Sequence, residues 1–225
     1  MLVCNFSGVY KAQGFLQWLQ EKGAGIQVMQ MADIQGTNCY CDQAAQEEIA
    51  KRTSGELPRV RWIDSGDYHY MTSILAQRET EPFHLLLLDN HPDNQEPAFS
   101  GVLSCGSWVK AMREENPLLQ DILWVGPEGG DYREWINLRR GERLYISLDK
   151  DVMAKDWART DWTQGEYSLE DIENILKEAF DKMDVCALDI CGEIAQGKGA
   201  TPQDRRINFE TNIQLYTLIN QYVGN

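Results

Sequence analysis

The sequence lacks both a long hydrophobic run and a cluster of basic residues. Its longest apolar run, residues 85–88 with their neighbours, is far shorter than the roughly 20 residues of a membrane-spanning helix. Lysine and arginine number 21 against 35 aspartates and glutamates, which gives a formal net charge of −14. Nucleic acids and anionic membranes both require a positive protein face. The composition therefore predicts that the protein binds neither nucleic acid nor a membrane.

The first five residues, MLVCN, also lack the basic start and apolar stretch of a signal peptide. We therefore expect a cytoplasmic protein, in which the six cysteines remain thiols. Cys39 and Cys41 are separated by one residue, whereas zinc-binding pairs usually have about two to four between them. We interpret this pair as structural, with metal binding as the minor alternative.

No Pro-, Gly- or Ser-rich linker and no internal repeat divides the 225 residues, which predicts a single domain over 1–225. Short apolar runs alternate with segments of helical period, the pattern of an α/β fold with a mostly parallel sheet. Strands are predicted at 2–5, 26–31, 59–63, 83–88, 122–125, 144–148 and 185–190. Helices are predicted at 13–21, 43–52, 69–78, 106–115, 169–183 and 208–222.

Potential metal ligands follow three of the predicted strands directly. Residues 89–93, DNHPD, come after one apolar strand, and Asp149 and Asp151 come after another. His69 follows a third and is expected in the first turn of a helix. Ligands of open parallel sheets bind at the carboxyl ends of the strands. A single aspartate there is more often a turn former or a helix cap, but the duplication on two strands favours a metal site.

The electrostatics of this arrangement indicate two metal ions. Asp89, Asp93, Asp149 and Asp151 would place four negative charges close together, which is costly unless cations neutralise them. Alternate residues of a strand are about 6.5 Å apart, which is too far for both to ligate one ion when a metal–ligand bond is about 2 Å long. Either the chain curls or Asp89 and Asp149 bridge two ions. Oxygen-rich ligation with a few imidazoles suits Mn²⁺ best, and Mg²⁺, Fe²⁺, Co²⁺ or Zn²⁺ would also be accepted.

The same stretches resemble motifs of a known enzyme family. Residues 89–93 are similar to Asp-Ala-His-x-Asp, and residues 147–151, SLDKD, are similar to Ser-Leu/Phe-Asp-x-Asp. These are motifs of the arginase/agmatinase/formiminoglutamase family, the ureohydrolases, which share their fold with histone deacetylases. Further similarities extend over roughly residues 59 to 220. Ser65-Gly66-Asp67-Tyr68-His69 resembles Gly-Gly-Asp-His with one insertion, Ser100-Gly101 resembles Ser-Gly, and Cys105-Gly106 resembles His-Gly. Leu188-Asp189-Ile190, followed by Glu193, resembles the family's late strand and its substrate glutamate.

The resemblance implies a three-layer α/β sandwich with a mostly parallel central sheet and helices on both faces. It also implies a binuclear manganese centre and a small-molecule substrate. The acidic surface of the chain would favour a cationic substrate. Family members are often oligomers, so a homo-oligomer is compatible with it. Carried over by position, one ion would be held by His69, Asp89, Asp93 and Asp149, and the other by Asp89, His91, Asp149 and Asp151.

The chemistry implied by the resemblance is attack of a metal-bridging hydroxide on a guanidino or amidino carbon, which cleaves a C–N bond. Asp93 would orient the hydroxide. Cys105 occupies the position of the family's proton-shuttle histidine, and Glu193 lies one residue beyond the expected position of the substrate glutamate, which Gly192 occupies. The loop after Asp151 lacks the family's Asp-Pro and Gly-Thr-Gly run and carries two tryptophans instead.

Two alternatives remain open at this stage. A deacetylase-like amidohydrolase would use one zinc ion on Asp89, His91 and Asp149, but it leaves other candidate ligands without a role and has no His-His pair as general base. The second alternative is a non-catalytic relative that retains metal and has lost the proton shuttle. Cys105 is the residue that supports this second alternative.

Overall fold

A computed structural model describes residues 1–99 and 101–223, which form nine β-strands and eight α-helices. The strands are β1 (Leu2–Asn5), β2 (Gln27–Gln30), β3 (Tyr40–Cys41), β4 (Val60–Ile63), β5 (Phe83–Leu88), β6 (Leu103–Ser104), β7 (Leu119–Val125), β8 (Arg143–Asp149) and β9 (Asp184–Cys191). The helices are α1 (Val9–Ala12), α2 (Phe15–Glu21), α3 (Gln43–Arg52), α4 (Met71–Ala76), α5 (Trp108–Glu115), α6 (Tyr132–Leu138), α7 (Leu169–Lys182) and α8 (Pro202–Val223). The predicted Ser100 of the Ser-Gly motif lies outside the described residues.

Seven of these strands form one sheet in which every neighbouring pair is parallel. The strand order is β2-β1-β4-β9-β8-β5-β7. The remaining two strands, β3 and β6, form a small antiparallel sheet in which Tyr40 pairs with Ser104. In the large sheet β5 and β8 are direct neighbours, so the two predicted acidic motifs follow adjacent strands.

Both faces of the large sheet are covered by helices, because the strands are apolar on both sides. Leu86 and Leu88 of β5 face a core formed with α1, α2, α6, α7 and α8. Leu85 and Leu87 point to the opposite face and pack with α3, α4 and α5. This alternation along one strand follows from the period of two residues in extended chain. The predicted three-layer α/β sandwich is therefore confirmed.

Several element boundaries differ from the sequence prediction. Helix α6 was not predicted, and α8 begins at Pro202, several residues earlier than expected. Proline fits the first position of a helix because its missing N–H needs no partner there. His69 does not lie in the first turn of a helix as predicted, but between a 3₁₀ turn, Gly66–Tyr68, and the start of α4.

No helix among residues 1–99 and 101–223 combines the length and the apolar character needed to cross a membrane.

Candidate metal centre

The candidate site lies at the carboxyl ends of β5 and β8. Asp89 directly follows β5, Asp149 is the last residue of β8, and Asp151 lies in a 3₁₀ turn immediately after it. Adjacent parallel strands end at the same sheet edge, which is where α/β proteins bind ligands. The two acidic motifs therefore meet in space, as the sequence indicates.

One group of candidate ligands consists of His69, Asp89 and Asp93, all buried. Nδ1 of His69 lies 3.1 Å from Oδ2 of Asp89 and 3.1 Å from Oδ2 of Asp93. Its other ring nitrogen, Nε2, is 2.8 Å from the hydroxyl of Ser147 on β8. The imidazole is thus held with Nδ1 towards the carboxylates. Oδ2 of Asp149 lies 3.6 Å from the same nitrogen.

A second group consists of Asp89, His91 and Asp151. Nδ1 of His91 lies 2.8 Å from Oδ2 of Asp151 and 3.6 Å from Oδ1 of Asp89. Its Nε2 is 2.8 Å from the hydroxyl of Thr163 in the long loop before α7. Asp89 belongs to both groups and turns one carboxylate oxygen towards each histidine. The structure therefore forms two adjacent groups of candidate ligands that share one aspartate.

Asp149 lies between the two groups. Its Oδ1 accepts a hydrogen bond from the backbone N–H of Asp151 at 2.9 Å, and its Oδ2 accepts one from the thiol of Cys191 at 3.2 Å. Cys191 is buried at the end of β9 and forms a third potential ligand group with His69 and Asp149. The sequence prediction did not include Cys191. Its position at the end of an apolar strand was the available signal.

The electrostatics of the cluster fit divalent cations. Burial, reinforced by Asp151, raises the pKa of Asp149 to about 6, and burial together with Asp89 raises the pKa of Asp151 to about 7. Oδ2 of Asp89 is buried, and its one close polar contact, Nδ1 of His69 at 3.1 Å, is not aligned as a hydrogen bond. A buried carboxylate oxygen without an aligned donor is costly, and a cation would satisfy it. The oxygen-rich donor set with two imidazoles matches the chemistry of Mn²⁺ and related ions.

The cluster forms the floor of a cavity of about 680 Å³. Its walls come from the small sheet, from the segment after β5 and from the long loop between β8 and α7. Trp162, one of the two tryptophans in the loop after Asp151, lines the cavity, and Asp161 and Thr163 lie beside it. Residues of the other walls are Cys39, Tyr40, Gln95, Ser104, Cys105 and Gly106.

Cys105, which the resemblance matches to the family's proton-shuttle histidine, lies in the cavity wall. Its backbone N–H donates to the carbonyl of Cys39 at 3.0 Å, which continues the pairing of β3 and β6. Burial, with the nearby Cys39 thiol, raises the pKa of Cys105 to about 12. The thiol therefore stays protonated near neutral pH and cannot take up a proton as a histidine would.

Glu193 does not lie where the sequence analysis placed it. Its side chain is fully buried and does not line the cavity. Its carboxylate accepts hydrogen bonds from Lys150 and from the side-chain amides of Asn208 and Asn212 on α8, the latter two at 2.7 Å each. All of its strong interactions are internal, so the expectation that Glu193 binds a substrate guanidinium is corrected. Lys150, which lies between Asp149 and Asp151, was not identified from the sequence.

Comparison with known proteins gives one relative by sequence and several by structure. No protein-family model matches the chain. An uncharacterized protein of Thermotoga maritima is 28% identical over 202 residues, which cover 85% of this chain and 78% of the relative.

Solved structures with the same architecture include three enzymes. The chain superimposes on a hypothetical agmatinase from Burkholderia thailandensis with a TM-score of 0.68 and 14% identity, covering 100% of this chain and 87% of that one. Formimidoylglutamase from Bacillus subtilis gives a TM-score of 0.64 with 13% identity over 98% of this chain and 86% of the enzyme. Arginase from Bacillus caldovelox gives a TM-score of 0.64 with 12% identity, covering 100% of this chain and 97% of the enzyme. The chain therefore has the α/β fold of the arginases, agmatinases and formimidoylglutamases, the ureohydrolase fold.

Proposed function

We propose that this chain is a hydrolase of the ureohydrolase type, which cleaves a C–N bond of a small guanidino or amidino compound with two divalent cations. The observation that carries the proposal is the position of Asp89 in two ligand groups at once, one with His69 and one with His91. Two ion positions separated by a shared carboxylate fit a two-metal hydrolase better than a single zinc ion.

The proposed ligand sets are those that the family resemblance implies, and the distances within the cluster are compatible with them. They comprise His69, Asp89, Asp93 and Asp149 for the first ion, and Asp89, His91, Asp149 and Asp151 for the second. Mn²⁺ is the proposed ion because carboxylates outnumber imidazoles in both sets. Four carboxylates then face two divalent cations, and the charges balance.

Two divalent cations, when bound, would supply Lewis acidity that lowers the pKa of water and stabilises the charge that develops in the tetrahedral state when water attacks a guanidino or amidino carbon. In this proposal Asp93 accepts the hydrogen bond that orients the attacking water. Cys105 contributes cavity wall rather than proton transfer, because its pKa of about 12 keeps it protonated. The protonation of the leaving amine then depends on solvent, since the cavity is open to it.

The cavity wall supports a cationic substrate. Among the described residues that line it there is no lysine or arginine, whereas Asp161, which also lies 3.3 Å from Lys198, adds a carboxylate outside the cluster. Trp162 and Tyr40 are 42% and 51% exposed and offer aromatic faces, which attract guanidinium and ammonium groups. A substrate with an anionic end would find no basic side chain on these walls.

Metal analysis and turnover together test the proposal. The protein is loaded with Mn²⁺, desalted and analysed for metal content, and then incubated with agmatine, arginine and formimidoylglutamate while urea and amide release is measured. We expect about two ions per chain and turnover of at least one compound. About one ion per chain would favour the single-zinc alternative. Metal uptake without turnover of any guanidino or amidino compound would favour the non-catalytic one.

A further inference from the structure

Trp108, the first residue of α5, contacts two candidate ligands of the same ion. Its indole N–H donates a hydrogen bond of 2.7 Å to Oδ2 of Asp93. Its ring also packs against the imidazole of His69, with 4.7 Å between the ring centroids. The carboxylate oxygen that receives this hydrogen bond is the same one that lies 3.1 Å from Nδ1 of His69. One fully buried indole therefore touches both residues.

Asp93 needs such support because its backbone is strained. It adopts a φ of +46°, in the left-handed region that residues other than glycine rarely enter. Strained conformations of this kind persist only where surrounding contacts hold them. The start of α5 supplies two of these contacts: the backbone N–H of Val109 donates to the carbonyl of Asp93 at 3.1 Å, and the indole of Trp108 holds the carboxylate.

The second group of candidate ligands is supported differently. His91 and Asp151 are held by Thr163 and by the backbone N–H of Asn90, neither of which belongs to α5. A change at Trp108 therefore alters the surroundings of one ion position and leaves the contacts of the other in place.

We propose that Trp108 is a positioning residue that holds Asp93 and His69 together and thereby sets the affinity of the first ion position. This inference rests on the proposed function, because it requires the cluster to bind cations. The hydrogen bond from the indole fixes the direction of the Asp93 carboxylate, and the ring limits the rotation of His69. Partners of this kind typically change metal affinity by about 10- to 100-fold.

The test compares Trp108→Phe with Trp62→Phe. Both residues are fully buried tryptophans, but the indole nitrogen of Trp62 has no hydrogen-bond partner among the described residues. Both substitutions remove the same atoms from a packed core, so the loss of volume is matched. Mn²⁺ binding is measured by isothermal titration calorimetry, and folding is checked by circular dichroism.

We expect Trp108→Phe to weaken one of the two Mn²⁺ sites by about tenfold or more and to leave the other unchanged. Trp62→Phe should retain both affinities. Equal affinities in wild type and Trp108→Phe would overturn the inference and leave the proposed function intact. A wild-type chain that takes up no Mn²⁺ would overturn the proposed function and this inference with it.

A measurement on the wild-type protein covers the case in which Trp108→Phe does not fold. The indole N–H signals of ¹⁵N-labelled protein are followed by NMR during titration with diamagnetic Zn²⁺, with Trp108 assigned through its contacts to His69 and Val109. The Trp108 signal should shift as the ion binds beside Asp93, and the Trp62 signal should stay in place. A Trp108 signal that does not move while Zn²⁺ binds would overturn the inference.

Discussion

Lys150 and Glu193 form an ion pair that is completely buried behind the cluster of acids. Lys150 follows Asp149 at the end of β8, whereas Glu193 follows β9, and Asn212 of α8 hydrogen-bonds to both side chains. The pair therefore connects the turn that carries Asp149 and Asp151 to the C-terminal helix. Removal of the pair should lower the stability of the fold and disturb the candidate site.

Removing one charge of this pair should destabilise the protein more than removing both charges. Lys150→Met leaves the carboxylate of Glu193 buried without a counter-charge, and we expect the free energy of unfolding to fall by about 3–5 kcal/mol. The double variant Lys150→Met/Glu193→Gln removes both charges and should recover part of that loss. Urea denaturation followed by circular dichroism measures both. A single variant as stable as wild type would show that the ion pair is not formed in solution.

Gly192 should be intolerant of any side chain. Its φ is +91°, and a Cβ atom would lie 2.3 Å from Oδ1 of Asp149. Gly197 is the matched control, because it has a φ of +96° but no atom within 4 Å of the added carbon. Gly197→Ala should cost about 1–2 kcal/mol of stability from the backbone alone.

Gly192→Ala should cost more than that control and should also weaken Mn²⁺ binding, because the carboxylate of Asp149 must move away. Thermal denaturation and a Mn²⁺ titration of both variants provide the measurement. The same loss of stability and the same Mn²⁺ affinity in the two variants would contradict the position assigned to Asp149.

Variants of shared and unshared candidate ligands should differ in the number of metal ions that each chain binds. His91→Asn removes a ligand from one group and should leave about one ion per chain, whereas Asp89→Asn and Asp149→Ala remove shared ligands and should abolish tight binding of both. Activity should be lost in all three. Metal analysis by mass spectrometry after loading and desalting gives the count. Two retained ions in Asp149→Ala would contradict its proposed bridging position.

Cys105→His should raise turnover if the lack of a proton carrier limits the rate. A histidine titrates near pH 6.5, whereas burial holds the pKa of the present thiol at about 12. General acid–base assistance is typically worth about 10²- to 10⁴-fold, and part of this gain is expected here. Initial rates of urea or amide release compare the variant with wild type. No gain in rate would indicate that proton transfer is not limiting, or that the substrate is of another class.

The stability of the metal-free protein should fall as the pH rises from 5 to 7.5. Folding raises the pKa of Asp149 to about 6 and that of Asp151 to about 7, whereas both would titrate near 3.9 in the unfolded chain. In this window the folded state binds more protons than the unfolded state, so the free energy of unfolding decreases with pH.

Bound cations should reverse this trend, because they neutralise the same carboxylates. We expect the difference in melting temperature between Mn²⁺-loaded and EDTA-treated protein to be larger at pH 7.5 than at pH 5. Thermal scans at both pH values test this. An EDTA-treated protein that is more stable at pH 7.5 than at pH 5 would show that the cluster is not held together as described.

The sequence alone determined the sheet and the convergence of the acids. Apolar strands that end directly in Asp89 and Asp149 must bring these residues to one edge if the strands are parallel, since parallel strands share their carboxyl ends. That β5 and β8 would be neighbours was not encoded locally, because strand order depends on which helices pack on which face. The family resemblance implied the fold class and the shared ligands, and the structure confirmed the class and showed that the two strands are neighbours.

Tertiary packing alone decided the surroundings of the acids. The family resemblance implied that Glu193 binds the substrate, but Asn208 and Asn212 of α8, distant in sequence, satisfy its carboxylate in the interior. Trp108 gave no sequence signal beyond that of a core residue, and its hydrogen bond to Asp93 arises because α5 begins beside the end of β5. Periodicity and motif spacing indicate which side of a segment packs against the core. Which partner a buried polar group finds depends on contacts between segments that only the assembled fold brings together.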